Sequence, residues 1–494
     1  MRAKHGRRVG YTGVVSQSSE GQHTPLLAAA AIALREHEET LVLLGQRFEQ
    51  AGFELYLVGG SVRDAILGRL GTDLDFTTNA LPQDVQQLLT DCVDHQWDTG
   101  IDFGTISALR GGVQIEITTF RSDKYDGQSR NPEVCYGTSL RDDLVRRDFR
   151  MNAMAVRITS EGIGSFIDPL GGLEDVAMRQ LDTPGTPEMS FSDDPLRMLR
   201  AARFVSQLQF TIAPRVWNAM ESMAAEIGRI TAERVRLELD KMMGGKDPIA
   251  GIEALVNSGL ADHTIPEVPA MRLEIDEHHQ HKDVYTHSLT VLRQAIDRED
   301  DGPDLVLRWA ALLHDIGKPP TKRNEPGGGV SFHHHEVVGA KMTRRRMRTL
   351  KYSKAMIEDV SRLVYLHLRF HGYGKGQWTD SAVRRYVTDA GPLLDKLNKL
   401  VRADCTTRNR RRALSLQRAY DDLEQRISEI QEAEDLARVR PDLDGNAIME
   451  LLGIRPGPDV GAAWKFLKEL RLDRGPLPRD EAEEALLTWW KSKN

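Results

Sequence analysis

Polar and apolar positions alternate along several short stretches of the chain. In Thr72-Asp73-Leu74-Asp75-Phe76-Thr77 the apolar Leu74 and Phe76 interleave with Asp73, Asp75 and Thr77. That period of two is a strand's, and it projects both carboxylates from one face. Val113-Gln114-Ile115-Glu116-Ile117-Thr118-Thr119-Phe120-Arg121 alternates in the same way and puts Glu116 on a polar strand face. Tyr56-Leu57-Val58 reads as a strand end. A Gly59-Gly60 turn follows it, then a helix through Leu67 with Ser61 expected as its cap. Strands are expected around Tyr56, Asp73, Ile106 and Glu116, mixed with helices, from about Thr24 to Gly162. Beyond that the pattern turns helical, with a Pro- and Gly-rich linker at Thr183-Pro184-Gly185-Thr186-Pro187. No internal repeat is visible.

The paired aspartates carry chemistry. Two close carboxylates repel unless a cation sits between them. Hard oxygen ligands of this kind suit Mg²⁺, which is completed by water and substrate phosphate oxygens. The glycines just upstream let the backbone approach a triphosphate, and the helix start behind them favours negative charge. With Glu116 as a third acid, two metals would be clamped, one lowering the pKa of an attacking hydroxyl and the other holding the leaving phosphates.

Three motifs together carry a family resemblance: Gly59-Gly60-Ser61-Val62-Arg63-Asp64, Asp73-Leu74-Asp75, and Arg146-Arg147-Asp148-Phe149-Arg150-Met151-Asn152-Ala153. They resemble the class II tRNA nucleotidyltransferases and the related bacterial poly(A) polymerases. The likeness continues through Phe191-Ser192-Asp193-Asp194-Pro195-Leu196-Arg197-Met198-Leu199-Arg200-Ala201-Ala202-Arg203-Phe204. It implies an α+β chain: a polymerase-β-like nucleotidyltransferase head followed by all-α neck, HD and C-terminal helical domains. The resemblance implies Asp73, Asp75 and Glu116 as catalytic carboxylates. It also implies a nucleotide site of Gly59, Gly60, Arg63, Arg147, Asp148, Asn152, Asp194, Arg197, Arg200 and Arg203. Asp194 and Arg197, three apart on an expected helix, would share a face. A carboxylate acceptor beside a guanidinium donor matches the edge of cytosine or adenine, each an exocyclic amine next to a ring acceptor, whereas uracil and guanine show the opposite polarity. Asp193 stands where relatives usually have Glu.

Asp102-Phe103-Gly104-Thr105-Ile106 resembles a stretch of CCA-adding enzymes, with Phe103 in place of their His. The loop from Arg121 through Tyr125 to Pro132 resembles the element those enzymes need for the final A. Addition of C, C and A to tRNA 3′ ends from CTP and ATP is therefore expected, with pyrophosphate released. Poly(A) polymerase is the alternative.

A second cluster lies downstream. His287, the dipeptide His314-Asp315 in Leu313-His314-Asp315-Ile316-Gly317-Lys318, and Asp404 resemble the HD phosphohydrolase pattern. His335 and His367 are candidates for a second metal. Imidazoles mixed with carboxylates suit Mn²⁺, Ni²⁺, Fe²⁺ or Zn²⁺ better than Mg²⁺ alone. Such a site would act on phosphorylated or cyclic-phosphate RNA ends, and hydrolysis as the main activity is a competing expectation, as is a non-catalytic tRNA chaperone. His278, His279 and His281 read as surface residues.

At 494 residues the chain is too long for one core. The expected division is a disordered tail at 1–23, the head at 24–162, a helical neck at 163–270, the HD domain at 271–414 and a C-terminal RNA-binding module at 415–494. No apolar run reaches membrane-spanning length and the N-terminus lacks a signal core, so a cytoplasmic protein is expected. Cys92, Cys135 and Cys405 have no paired spacing, which argues against a disulfide framework or zinc finger. The net charge of −7 suits RNA only if cations are grouped. Two groups stand out: Lys341 to Lys354, with Arg344, Arg345, Arg346, Arg348 and Lys351, and Arg408, Arg410, Arg411 and Arg412. Either would lie along tRNA phosphates without reading sequence.

Overall fold

The computed structural model describes residues 20–121, 137, 139–272, 283–326, 329–370, 378–407, 409–433 and 440–493. They form two compact units, one of residues up to 231 with 245–263, the other of 232–244 with 264 onwards.

The first unit is built on a seven-stranded sheet. Helices α1 (Glu20–Arg35) and α2 (Glu38–Gln50) precede β1 (Leu55–Val58), α3 (Gly59–Ile66), β2 (Asp73–Thr78) and α4 (Pro82–Leu89). Then come β3 (His95–Trp97), β4 (Thr105–Arg110), β5 (Val113–Thr119), α5 (Leu140–Val145), β6 (Ala155–Thr159) and β7 (Gly162–Ile167). The strand order is β3-β4-β5-β2-β1-β6-β7, and β2 and β5 run parallel while the other neighbours are antiparallel. The alternation has the expected consequence, since Leu74, Phe76, Ile115 and Ile117 are buried while Asp75 and Glu116 are half-buried on the other face. A cluster of Tyr56, Val58, Phe120, Leu144, Ala153 and Ala155 holds β1 to the segment after α5.

Three expectations are corrected here. Helix α1 starts at Glu20, inside the expected 1–23 tail, because the Ala-rich stretch after Pro25 has strong helix propensity; residues 1–19 lie outside the described residues. The sheet does not stop at 162. Gly162, at φ +99°, turns the chain so that β7 pairs back onto β6, extending strand structure into the region expected to be a helical neck. Ser61 does not cap α3, whose first residue is Gly59; it sits inside the helix and bonds β2 instead.

Helices follow: α6 (Gly172–Met178), α7 (Pro187–Asp193), α8 (Leu196–Leu208), α9 (Pro214–Met223), α10 (Ala232–Met243), α11 (Pro248–Asn257), α12 (Leu260–Thr264), α13 (Val284–Ile296), α14 (Leu305–Leu313), α15 (Lys318–Thr321), α16 (His335–Thr349) and α17 (Lys354–Leu366). The last are α18 (Asp380–Ala390), α19 (Leu394–Ala403), α20 (Arg410–Ala433), α21 (Gly445–Leu452), α22 (Pro458–Arg474) and α23 (Arg479–Lys493). In the first unit α8 packs on α11, and α7 on α9. In the second, α13, α14, α17 and α19 pack around one another and α16 lies along α17. Helices α21 to α23 close on a core of their own, Leu443, Ile448, Ala463, Leu467, Ala482 and Leu486. Among the described residues no helix is long and apolar enough to cross a membrane.

Candidate active site and metal centre

The head site starts from β2. Asp75 stands beside Glu116 in the parallel register of β2 and β5, and Asp73 is two residues away on the same face. Ser61 fixes this strand to α3: its Oγ accepts from Asp75 N at 2.8 Å and donates to Asp73 O at 3.2 Å. Gly59 takes φ +67°, and a Cβ there would come 3.0 Å from Arg147 Nη1 and 3.7 Å from Asp75 Oδ2. The turn therefore lies close against both the carboxylate and a guanidinium, an approach a side chain would block. Burial, then the charge of Glu116, push Asp75 up to about 6 against the pull of Arg147. Asp75, with Glu116 beside it in the register and Asp73 on the same face, offers hard oxygen donors of the kind a divalent cation takes.

Around the carboxylates runs a chain of polar contacts. Arg63 donates to both oxygens of Asp64, at 3.0 and 2.7 Å, and through Nη1 to Asn152 Oδ1 at 2.7 Å. Asn152 Nδ2 donates to Asp148 Oδ1 at 2.9 Å, and Arg200 Nε donates to Asp148 Oδ2 at 2.7 Å. Burial opposes ionisation of Asp148, but Arg200 and the Asn152 hydrogen bond outweigh it and hold the carboxyl well below its ordinary range. Phe149 meets Phe204 edge-on at 5.7 Å, with the guanidinium of Arg203 4.3 Å from the Phe204 ring centre. Arg63, Arg147, Asp148, Asn152, Arg200 and Arg203 are thus all on or beside one network.

Asp194 and Arg197 are placed otherwise than expected. Asp194 is not in a helix; it is extended, at φ −141° and ψ 97°, in the break between α7 and α8. Pro195 makes that break, since a proline disfavours helical backbone at the residue before it. The Asp194 carboxylate accepts from the N–H of Leu196, the first residue of α8, at 3.1 Å. Arg197, in the first turn of α8, donates to Ser190 Oγ at 2.8 Å and to Arg146 O at 2.6 Å. A shared helix face therefore does not relate this acid and base.

Sequence reasoning missed Asp143. It is fully buried, and its carboxylate accepts from Arg146 at 2.8 Å and from Arg147 at 3.0 Å. Its position three and four residues before those arginines in α5 was a usable signal. The loop carrying Tyr125 lies outside the described residues, as do His278, His279, His281, Cys135 and Arg408.

The second unit gathers all six downstream candidates. His287, His314 and Asp404 offer ligand atoms within 4.8 Å of one another, and so do Asp315, His335 and His367. Asp315 lies between the two trios. Its Oδ2 is 3.1 Å from His314 Nε2, and its Oδ1 is 3.2 Å from His335 Nε2 and 3.8 Å from His367 Nε2. His287 Nε2 is 2.9 Å from Asp404 Oδ1. The Nδ1 atoms of His314, His335 and His367 bond the carbonyls of Ala311, Phe332 and Val364 at 2.8, 2.8 and 2.6 Å, so all three Nε2 atoms turn inward. His287 Nδ1 instead meets Thr406 Oγ1 at 3.2 Å. Nε2 of His367 is buried with no hydrogen-bond partner among the described residues, and Nε2 of His335 faces Asp315, as atoms aimed into a metal site do. Burial would lower His314, but Asp315 and Asp404 raise it to about 9; burial and His314 bring His367 down to about 3. Two adjacent trios of imidazole and carboxylate, with Asp315 of one trio 3.1 Å from His314 of the other, are a donor set that would hold two metal ions. Lys318, buried with Nζ 2.9 Å from Asp315 Oδ2, was also missed, although it stands at i+3 from Asp315.

Residues 55–182 match the family described as the poly A polymerase head domain, 209–271 that of the probable RNA and SrmB-binding site of polymerase A, and 284–409 the HD domain. The A-adding tRNA nucleotidyltransferase of Deinococcus radiodurans is 35% identical over 424 residues, 84% of this chain and 91% of that protein. The CCA-adding enzyme of Levilactobacillus brevis is 42% identical over 228 residues, which span 44% of this chain and 55% of that protein. Two solved structures share the fold. One, the Bacillus stearothermophilus CCA-adding enzyme in complex with CTP, matches at TM-score 0.65 and 23% identity, covering 95% of this chain and 99% of that one. The other is the Thermotoga maritima CCA-adding enzyme complexed with tRNA, at TM-score 0.58 and 19% identity, with 92% and 95% covered. With its carboxylate-bearing strand, its arginine network and a relative matched over nearly its whole length, this chain belongs to the tRNA nucleotidyltransferase and poly(A) polymerase family, in the form that carries an HD domain.

Proposed function

We propose that this protein adds C, C and A to tRNA 3′ ends from CTP and ATP, releasing pyrophosphate. The observation that carries this reading is the Asp73, Asp75 and Glu116 face locked by Ser61 beside the Gly59 turn. Asp73 and Asp75, with Glu116 beside them, would hold Mg²⁺. When bound, that ion supplies charge neutralisation at the phosphates and acidifies the attacking hydroxyl. The chain's own residues do the rest. Gly59 and Gly60 leave room for the triphosphate, and Arg63 and Arg147 balance its charge. The tRNA 3′ oxygen attacks the α-phosphorus as the bond to the pyrophosphate oxygen breaks. Asp148 and Asn152, hydrogen-bonded to each other, would hold a ribose hydroxyl. Asp194 at the α7–α8 break and Arg197 in the first turn of α8 would read the base edge, with Ser190 and the Arg146 carbonyl aiming Arg197.

A narrower reading, addition of the terminal A alone, is favoured by the 35% identity to the A-adding enzyme over 84% of this chain. One experiment separates the two. Transcripts ending before the CCA, after the first C and after the second C are incubated with Mg²⁺ and all four triphosphates, and the 3′ ends are sequenced. Completed CCA on all three supports the first reading. Extension of only the CC-ending transcript selects the second, and a long adenosine tract overturns both in favour of poly(A) synthesis.

The HD centre supports a second activity, hydrolysis of phosphate esters at RNA ends. Its mixed donors suit Mn²⁺, Ni²⁺, Fe²⁺ or Zn²⁺. Release of phosphate from 3′-phosphate tRNA, or opening of a 2′,3′-cyclic phosphate to a terminal phosphomonoester, by the wild type and lost in His314→Ala, tests it.

A further inference from the structure

We infer that the exposed side of α16 is a docking track for the RNA backbone, and that it lays the RNA beside the HD centre. This deepens the tRNA reading above and rests on it. Helix α16 carries five cations, Lys341, Arg344, Arg345, Arg346 and Arg348, against one acid, Glu336, in its first turn. They divide into two sets. Arg346 donates to Glu267 at 2.8 Å and Arg344 lies 3.5 Å from Glu358, so these two are tied to their own unit. Lys341, Arg345 and Arg348 are exposed and, among the described residues, in no ion pair. Their spacing of i, i+4 and i+7 places them in one line on one face, about 10 Å from first to last at 1.5 Å per residue.

An ordinary solvated helix face interleaves both signs, because neighbouring like charges repel and (i, i+4) pairs of opposite sign are favourable. Here Lys341 and Arg345 are a like-charged (i, i+4) pair in a chain whose net charge is −7. Concentrating cations where the protein as a whole is acidic focuses a polyanion to that line. Phosphates supply the complementary charge without any demand on base sequence.

The opposite face of the same helix belongs to the metal centre. His335 is its first residue, and Gly339, Ala340, Thr343 and Met347 are buried behind it. A Cβ at Gly317, two residues after Asp315, would come 2.1 Å from His335 O and 2.6 Å from Gly339 N. Only a glycine lets α16 press this closely onto the His314-Asp315 segment. The track is therefore rigidly keyed to the candidate metal ligands, with Lys341 about 9 Å along the helix from His335.

The test is the salt dependence of binding. A tRNA transcript lacking its CCA end is titrated with the full-length wild type and with the triple variant Lys341→Gln, Arg345→Gln, Arg348→Gln by fluorescence anisotropy from 50 to 300 mM salt. Loss of three phosphate contacts lowers the slope of log K against log salt by about 2 to 3, and the affinity at 0.1 M by on the order of tenfold to a hundredfold. An unchanged slope and affinity in a variant with the wild-type melting temperature overturns the proposal. So does polyglutamate competing as well as unlabelled RNA at equal charge, which would assign the face to acidic protein. Nucleotide incorporation is scored separately on the same proteins. A wild type that binds with the steep slope yet adds no nucleotide removes the activity reading and leaves the track.

Discussion

Asp75 N donates to Ser61 Oγ at 2.8 Å, so the strand bearing the paired carboxylates is fastened directly to the helix that starts at the Gly59-Gly60 turn. The same hydroxyl donates to Asp73 O, which places Leu74 between two anchored residues. The spacing of the two carboxylates is set by main-chain geometry before any cation arrives.

Ser61→Ala should therefore cost more in catalysis than in folding. One lost hydrogen bond is worth about 1 kcal/mol, and somewhat more if Asp75 N stays unsatisfied. Thermal unfolding should fall by a few degrees, and kcat for CTP incorporation by about tenfold or more as the carboxylates lose register. A variant with wild-type kcat shows that β2 holds its carboxylates without Ser61.

The two sites should separate by mutation. Asp75→Asn removes a candidate metal ligand and should reduce incorporation by at least about a thousandfold, while His314→Ala leaves incorporation within about twofold. Release of phosphate from 3′-phosphate ends should show the reverse. Primer extension and phosphate release on the same preparations decide it, and loss of both activities in either variant contradicts the assignment.

Asp148 gives a signed pH effect. Its carboxyl is held below the ordinary range by Arg200 and Asn152, so its contribution to stability is present above the unfolded value of about 3.9 and is lost as pH falls through the lowered folded value. Arg200→Ala leaves a buried charge with its partner removed, a cost of about 3 to 5 kcal/mol at neutral pH. Protonating Asp148 relieves it. The gap in melting temperature between wild type and variant should thus be widest near pH 7 and narrow toward pH 4. A gap independent of pH would mean that Arg200 acts by packing on Phe204.

Metal should stabilise the second unit. A ligand present at a hundred times its dissociation constant adds about 2.7 kcal/mol. Mn²⁺ or Ni²⁺ should raise the melting temperature of the wild type, and His335→Ala with His367→Ala should abolish the shift. Elemental analysis of the purified protein gives the independent readout. Equal shifts in both proteins would place the ion elsewhere.

The alternation of Leu74 and Phe76 with Asp73 and Asp75 was enough, read along the chain, to fix a strand and the face its carboxylates take, because a strand's period is local and exact. The same holds for Glu116. Helix-rich character after the head and the six HD candidates were also legible, the latter because the chain states ligand types directly. What the order of residues did not contain was contact between distant segments. Ser61 has the chemistry of a cap, and only the approach of β2 to α3 turns its hydroxyl to Asp73 and Asp75 instead. Gly162 looks like a domain edge until β7 finds β6. Asp194 and Arg197 have helical spacing, but Pro195 breaks the helix between them, and the nearby Ser190 and Arg146 decide where Arg197 points. Asp315 shows its dual position only once α14, α16 and α17 converge. Local propensity and residue chemistry thus determined the elements and the inventory of ligands, while long-range packing, which no short window of sequence encodes, decided which of those groups meet.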